Sequence, residues 1–175
     1  GQGDTTLAKH YHHLGDSLTK VAQYDSAIYY YEKASLIYEK VENWEKYMEC
    51  DNKIGWRLGV YKGKIKKALN FLYQTLETGL NKLGDQSLQV ASTYNNIGYI
   101  LSLLGEYEKA LSYYQKTLTI ILKSVGSNHT SVAGIYNNMG IVYWSKGDYD
   151  KALEYYHRSL SIRLAGLDTV HTKVA

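Results

Sequence analysis

The sequence predicts an all-α chain, a solenoid of tandem helix-turn-helix units, on three observations. The 175 residues contain no proline, the costliest guest of a helix interior at about 3 kcal/mol. Apolar and small residues recur at the i, i+3, i+4, i+7 spacing of one helical face, as in Tyr94, Ile97, Gly98 and Leu101. The sequence also repeats itself at long range, which identifies a stacked architecture. Ala91–Gly98 (Ala-Ser-Thr-Tyr-Asn-Asn-Ile-Gly) returns as Ala133–Gly140 (Ala-Gly-Ile-Tyr-Asn-Asn-Met-Gly), and Gly105–Tyr114 returns as Gly147–Tyr156. Both offsets are 42 positions, from 91 to 133 and from 105 to 147.

Two looser copies stand upstream. The glycine recurs as Gly15, Gly55, Gly98 and Gly140, in steps of 40, 43 and 42; the alanine recurs as Ala27, Ala68, Ala110 and Ala152, in steps of 41, 42 and 42. Four repeats follow, at about 5–42, 43–85, 86–127 and 128–167, in a single array spanning 1–175. Residues 168–175 are expected to begin a fifth, because the His-Thr-x-Val-Ala of 129–133 recurs at 171–175. That end would ordinarily be covered by a further repeat or a capping helix. The expectation is therefore a fragment of a longer protein, or self-association through the exposed C-terminal repeat.

Within each unit a first helix (A) and a second (B) are expected. In unit one, helix 5–21 carries Leu14-Gly15, and helix 24–41 carries Tyr24 and Ala27. Unit two supplies 43–61 and 64–83. It is the most divergent, with Asp51 where the others have Tyr and Lys67 before a late Ala68. Unit three gives 86–104 and then 107–125, the latter with Ala110, Tyr113, Tyr114 and Thr117 on one face. Unit four gives 129–146 and 149–165 in the same pattern. Gly105 and Gly147 lie between A and B, where a helix closes on a left-handed residue, and Glu106 and Asp148 put an acid at the start of the next dipole. Gly98 and Ala110 are small residues where A meets B. A mid-helix glycine costs roughly 1 kcal/mol against alanine, so its recurrence implies close backbone approach. Most of the 19 tyrosines, including Tyr107, Tyr114, Tyr149 and Tyr156, fall on these packing positions and are scaffold.

Composition excludes several classes. No apolar run approaches the roughly 20 residues needed to cross a membrane. Net charge is +3, without the concentrated basic footprint of a nucleic-acid binder. Lys62, Lys64, Lys66 and Lys67 have no interleaved aromatics and read as a solvated helix start. A lone Cys50 excludes an internal disulfide and suits a reducing, cytoplasmic setting. Gly1-Gln2-Gly3 reads as a linker edge. Glycines some 40 residues apart cannot form a phosphate loop, so no cofactor is expected. His10 and His13 share a helix face beside His12, but no Cys or third ligand accompanies them, and no metal is expected. His129 and His171 occupy equivalent inter-repeat turns, a structural placement. Candidate nucleophiles and bases recur with the repeat or lack a motif, whereas catalytic groups are unique. No catalytic residue is assigned, and the expectation is a protein that is not an enzyme.

Tyr94-x-x-Ile97-Gly98-x-x-Leu101 followed by Ala110-x-x-x-Tyr114 resembles the tetratricopeptide repeat. The 42-residue form, with its Tyr-Asn-Asn-(Ile/Met)-Gly and His-Thr-x-Val-Ala segments, is similar to the kinesin-light-chain subclass. The family's usual proline after helix B is missing throughout. The resemblance implies a right-handed superhelical solenoid whose A helices line a concave groove for a protein or peptide. It is also similar to the sensor region of larger bacterial signalling proteins that carry a caspase-like (CHAT) protease or a histidine kinase. An intramolecular regulatory segment is therefore the alternative function.

The stripe beside the A/B packing face is the candidate groove. It comprises Asn95, Asn96 and Tyr99 with Ser102 and Leu103 in unit three, and Asn137, Asn138, Ile141 and Trp144 with Ser145 in unit four. Unit two offers Asn52 and Trp56 with Lys53 and Val60, and unit one His12, His13, Asp16 and Lys20. Asparagine both donates and accepts toward a peptide backbone, and Trp and Tyr are favoured anchors. A second reading stands beside this one, in which the asparagines only link neighbouring A helices. The two are compatible.

Overall fold

Helix follows helix through α1 (Gln2–Lys20), α2 (Tyr24–Lys40), α3 (Trp44–Trp56), a π turn (Arg57–Tyr61) and α4 (Ile65–Leu83), then α5 (Leu88–Leu103), α6 (Tyr107–Val125), α7 (Thr130–Ser145) and α8 (Tyr149–His171). The computed structural model describes the backbone of residues 2–171 and the side chains of residues 4–166, and no strand occurs among them. The chain divides into two compact units, Gly1–Asn96 and Ile97–Ala175.

The A-to-B turns have one mechanism. Ala22, Gly105 and Gly147 take φ of 57°, 76° and 81°. The next N–H, of Gln23, Glu106 or Asp148, donates to the carbonyl five residues back, on Leu18, Leu101 or Tyr143, at 2.9, 3.0 and 3.0 Å. This closure satisfies carbonyls that a helix end leaves orphaned. Asp148 Oδ1 also accepts from the Lys151 N–H (3.3 Å), capping α8.

Unit two departs from this pattern because it holds one more residue between glycine and alanine (55 to 68, against 98 to 110). The extra residue is absorbed by the π turn, where the Lys62 N–H donates to Arg57 O (3.0 Å), and the Lys64 N–H reaches back to Leu58 O (2.8 Å). The short first step has another cause: α2 has 17 residues where α4 and α6 have 19.

Close A/B packing follows from the glycines. A Cβ on Gly98 would lie 3.0 Å from Tyr114 Cε1, and one on Gly140 only 2.6 Å from Tyr156 Cε1. The B-helix tyrosine thus lies flat on the A-helix glycine. In the first unit Ala8, Ala27, Tyr31, Ala34, Tyr38, Cys50, Ile54, Leu58 and Ala68 form one buried cluster.

Two expectations change. Tyr149 is 55% exposed. It opens α8 beside the Gly147 turn, and its ring meets Trp144 edge-on at 4.8 Å instead of entering the core. Helix α8 runs on to His171 rather than ending at 165; the rest of the segment expected to begin a fifth repeat, 172–175, lies outside the described residues.

Candidate functional site

In the first unit the A helices are tied by an amide ladder. Asn96 Nδ2 donates to Asn52 Oδ1 (3.2 Å) and Asn52 O (3.4 Å), and Asn52 Nδ2 donates to Gln89 O (3.4 Å). Both amides are buried, so for this pair the structure shows the helix-linking arrangement. Beside it opens a cleft of about 380 Å³ between α3 and α5, lined by Lys53, Trp56, Arg57, Leu88, Ser92 and Asn96 among others. Trp56 is half-buried and Leu88 is 47% exposed.

The same face carries a charged cluster between α1 and α3. Lys53 Nζ donates to Asp16 Oδ1 (2.7 Å) and to His12 Nε2 (2.7 Å), with Glu49 Oε1 at 3.4 Å. Because Nε2 accepts, the imidazole proton belongs on Nδ1, which lies 3.6 Å from Cys50 Sγ. Burial first, then the Lys53 ammonium, lowers the His12 pKa; Glu49 and Asp16 oppose. Burial pushes the Cys50 thiol up to about 12, so it is inert as a nucleophile. No set of three or more His, Cys, Asp or Glu side chains is spaced to hold a metal among the described residues.

On the other side of α3, Asp51 takes the place held by Tyr11, Tyr94 and Tyr136 four residues before the glycine. Its carboxylate accepts from Ser35 Oγ (2.6 Å) and Thr75 Oγ1 (3.3 Å) and has Tyr47 beside it. Burial raises its pKa to about 6 against those hydroxyls.

In the second unit Asn137 and Asn138 are half-buried, while Ile141 and Trp144 are 42% and 56% exposed. Asn137, Ile141 and Trp144 stand at i, i+4 and i+7 on α7 and so form one stripe. Tyr99 is half-buried, and its carbonyl accepts from Ser102 Oγ (2.7 Å); Asn95, in the first unit, is also half-buried. His129 caps α7, its Nδ1 accepting from the Ser131 N–H (3.2 Å). The expected groove residues therefore range from the buried ladder (Asn52, Asn96) through half-buried Trp56, Asn95, Tyr99, Asn137 and Asn138 to exposed Ile141 and Trp144. Sequence reasoning missed Arg57 and Glu49. Arg57 had a readable signal: two residues after the glycine, units three and four place Ile100 and Val142, and a cation in an apolar slot stands out.

Two family models described as tetratricopeptide repeat match the chain, over residues 89–165 and 7–43. No curated protein matches it in sequence. Among solved structures the fold is similar to BtubC (BKLC) from P. vanneervenii (TM-score 0.81, 24% identity, covering 93% of this chain and 64% of that one). It is also similar to the Rap conjugation gene regulator of the plasmid pLS20, solved in complex with the Phr* peptide (TM-score 0.80, 19% identity, 94% and 44%). A third likeness is to aspartyl phosphate phosphatase F from Bacillus subtilis (TM-score 0.77, 17% identity, 96% and 43%). The chain thus spans less than two thirds of each of these proteins, and at such identities the likeness is one of fold. Repeat period, helix pairs, glycine–tyrosine packing and both family matches agree: the chain belongs to the tetratricopeptide-repeat family.

Proposed function

We propose that the chain is a non-enzymatic interaction scaffold that holds a peptide or helix along its A helices. Its surface residues are Trp56 and Asn95 in the first unit and Tyr99, Asn137, Asn138, Ile141 and Trp144 in the second, while buried Asn52 and Asn96 tie α3 to α5. The observation that carries this is the α7 stripe, where two large apolar side chains are 42% and 56% exposed beside an asparagine on the same face. Exposed apolar anchors next to amide donors and acceptors fit an extended partner. The peptide-bound Rap regulator supports the same reading. The lone buried Cys50 supports a cytoplasmic setting, and the Bacillus subtilis source of one similar fold supports a bacterial one.

The test pairs affinity with melting. Asn137→Ala combined with Trp144→Ala is expected to weaken a partner captured from the source cells by about 2 kcal/mol or more, with little change in Tm. Asn96→Ala, which breaks the buried ladder, is expected to cost stability instead, by about 1–3 kcal/mol. Unchanged affinity in a folded double variant would move the binding surface off α7.

A second reading is an intramolecular regulatory segment. It predicts that the ligand captured in trans is a segment of the same polypeptide.

A further inference from the structure

A second cavity, of about 330 Å³, opens on the B-helix side of the first unit and is lined from α2, α3 and α4 alone. It is separate from the proposed groove, to which α2 and α4 contribute no residue. Its lining departs from the repeat. Counted from the recurrent alanine, Ser35 stands where the other B helices have Leu76, Leu118 and Leu160, and Glu39 where they have Leu80, Leu122 and Leu164. Asp51 stands in place of Tyr11, Tyr94 and Tyr136. The exchange is reversed at Leu36, which is 65% exposed in the position of Glu77, Thr119 and Ser161. All four exchanged residues line the one cavity.

The charge of this lining is one-sided. Glu32, Glu39 and Asp51 contribute to it and no Lys, Arg or His does. None of the three acids takes part in an ion pair among the described residues. Asp51 is 4% exposed, and its partners are the hydroxyls of Ser35, Thr75 and Tyr47. Burial first, and then the Glu39 carboxylate, disfavour its ionised form; neutral donors offset only part of that cost. Leu36, Ile54 and Phe71 supply apolar walls. Acids over apolar walls complement a side chain with an apolar stem and a cationic tip. We propose that the cavity receives a lysine side chain of a protein partner docked across α2 and α4, its stem against Leu36 and Phe71 and its ammonium between Asp51 and Glu39. An ammonium suits two carboxylates from different helices, whereas a guanidinium fork calls for paired oxygens in one plane. Exposed Leu36 favours a protein over a free amine, because an apolar residue beside the lysine covers it and a small amine leaves it in water.

The experiment titrates the full chain, labelled for amide NMR, with the N-acetylated pentapeptide amide Ala-Leu-Lys-Leu-Ala and with the same peptide acetylated on its lysine. The lysine peptide is expected to shift the amides of residues 32–39 and those of Asp51 and Phe71, and to leave α7 unmoved. Acetylation of the lysine is expected to weaken binding about tenfold or more. Glu39→Gln and Asp51→Asn are each expected to have the same effect, and Glu39 is exposed, so its variant keeps the fold. Leu36→Ala is expected to cost about threefold. Equal binding of the two peptides overturns the cation assignment. So does the absence of shifts at these amides at about 10 mM peptide, where a Kd of about 1 mM already gives near-saturation. n-Butylammonium is expected to bind at least about tenfold more weakly than the lysine peptide; equal binding makes the cavity a small-amine site and overturns the protein partner. Unchanged affinity in both acid variants, with an altered Tm in Asp51→Asn, reduces the acids to structural ties among α2, α3 and α4.

Discussion

In Gly1–Asn96 the buried polar and charged residues are His12, Ser35, Asp51, Asn52, Arg57, Thr75, Thr93 and Asn96; among the described residues of Ile97–Ala175 they are Thr117 and Ser159. In the second unit the hydroxyls of Thr117 and Ser159 donate to backbone carbonyls, of Tyr113 (3.0 Å) and Ala133 (2.8 Å). The first unit buries charge and connects it through side-chain networks. Apolar glycine–tyrosine packing is therefore enough to build this hairpin. The polar residues of the first unit contribute specificity and titratable behaviour, and they cost stability wherever a charge is incompletely matched.

The largest test of that contrast is Asp51→Asn. Asp51 has its pKa raised from 3.8 to about 6, so between those values the folded state holds a proton that the unfolded chain has released. Its contribution is favourable below pH 3.8 and is lost as pH rises through about 6; above that, the shift corresponds to a cost of about 3 kcal/mol. The Asn variant should accordingly be more stable than wild type at pH 8, with the gap closing by about 3 kcal/mol near pH 4, measured by denaturant unfolding at each pH. His12, whose pKa is lowered, runs the other way and loses stability as pH falls below 6.5, so only the difference between variant and wild type isolates Asp51. A gap that does not change with pH would show that the carboxylate is hydrated or paired with a cation. In the second unit, Thr117→Val should give a pH-independent gap.

A smaller effect is expected from Gly140→Ala in the apolar unit. The added methyl would stand 2.6 Å from Tyr156 Cε1 and 2.7 Å from Cδ1. Overpacking of this kind costs about 1–3 kcal/mol, and the gain in helix propensity returns about 1 kcal/mol, leaving a net loss of up to about 2 kcal/mol in thermal or denaturant melts. Adding Tyr156→Leu, which withdraws the ring from the glycine, should recover part of the loss. Additivity of the two changes would mean that glycine and tyrosine do not meet as described.

Most of the helical frame was legible because the signal is repetition. The 42-residue offset located α5 to α8 from the markers Gly98, Ala110, Gly140 and Ala152, and periodicity carried the rest. The π turn was visible only as a step of 43 in the glycine series, since an insertion announces its length and not its geometry. The ladder between Asn52 and Asn96 could not be separated from a peptide-binding surface, because a side-chain amide has the same capacity in either role. Asp51 looked like simple divergence. Its three hydroxyl neighbours come from α2, α3 and α4, which no local pattern brings together.

The smallest expected effect concerns how the two units turn from A to B. Ala22 holds φ at 57° where the second unit uses Gly105 and Gly147. A Cβ in the left-handed region costs roughly 1–2 kcal/mol, while replacing it with glycine increases the entropy of the unfolded chain, a loss of about 0.4–1 kcal/mol. Ala22→Gly should therefore stabilise by about 0.5–1 kcal/mol, and Gly147→Ala should destabilise by a similar amount. Neither change disturbs packing: Ala22 is exposed, and a Cβ at Gly147 meets nothing within 4 Å. Both variants thus report on backbone conformation alone, read as a shift in denaturant midpoint at constant m. Opposite signs of similar size would show that the turns share one conformation despite their different residues. A destabilised Ala22→Gly would mean that the first turn draws on its methyl group, and that the units differ in their turns as well as in their cores.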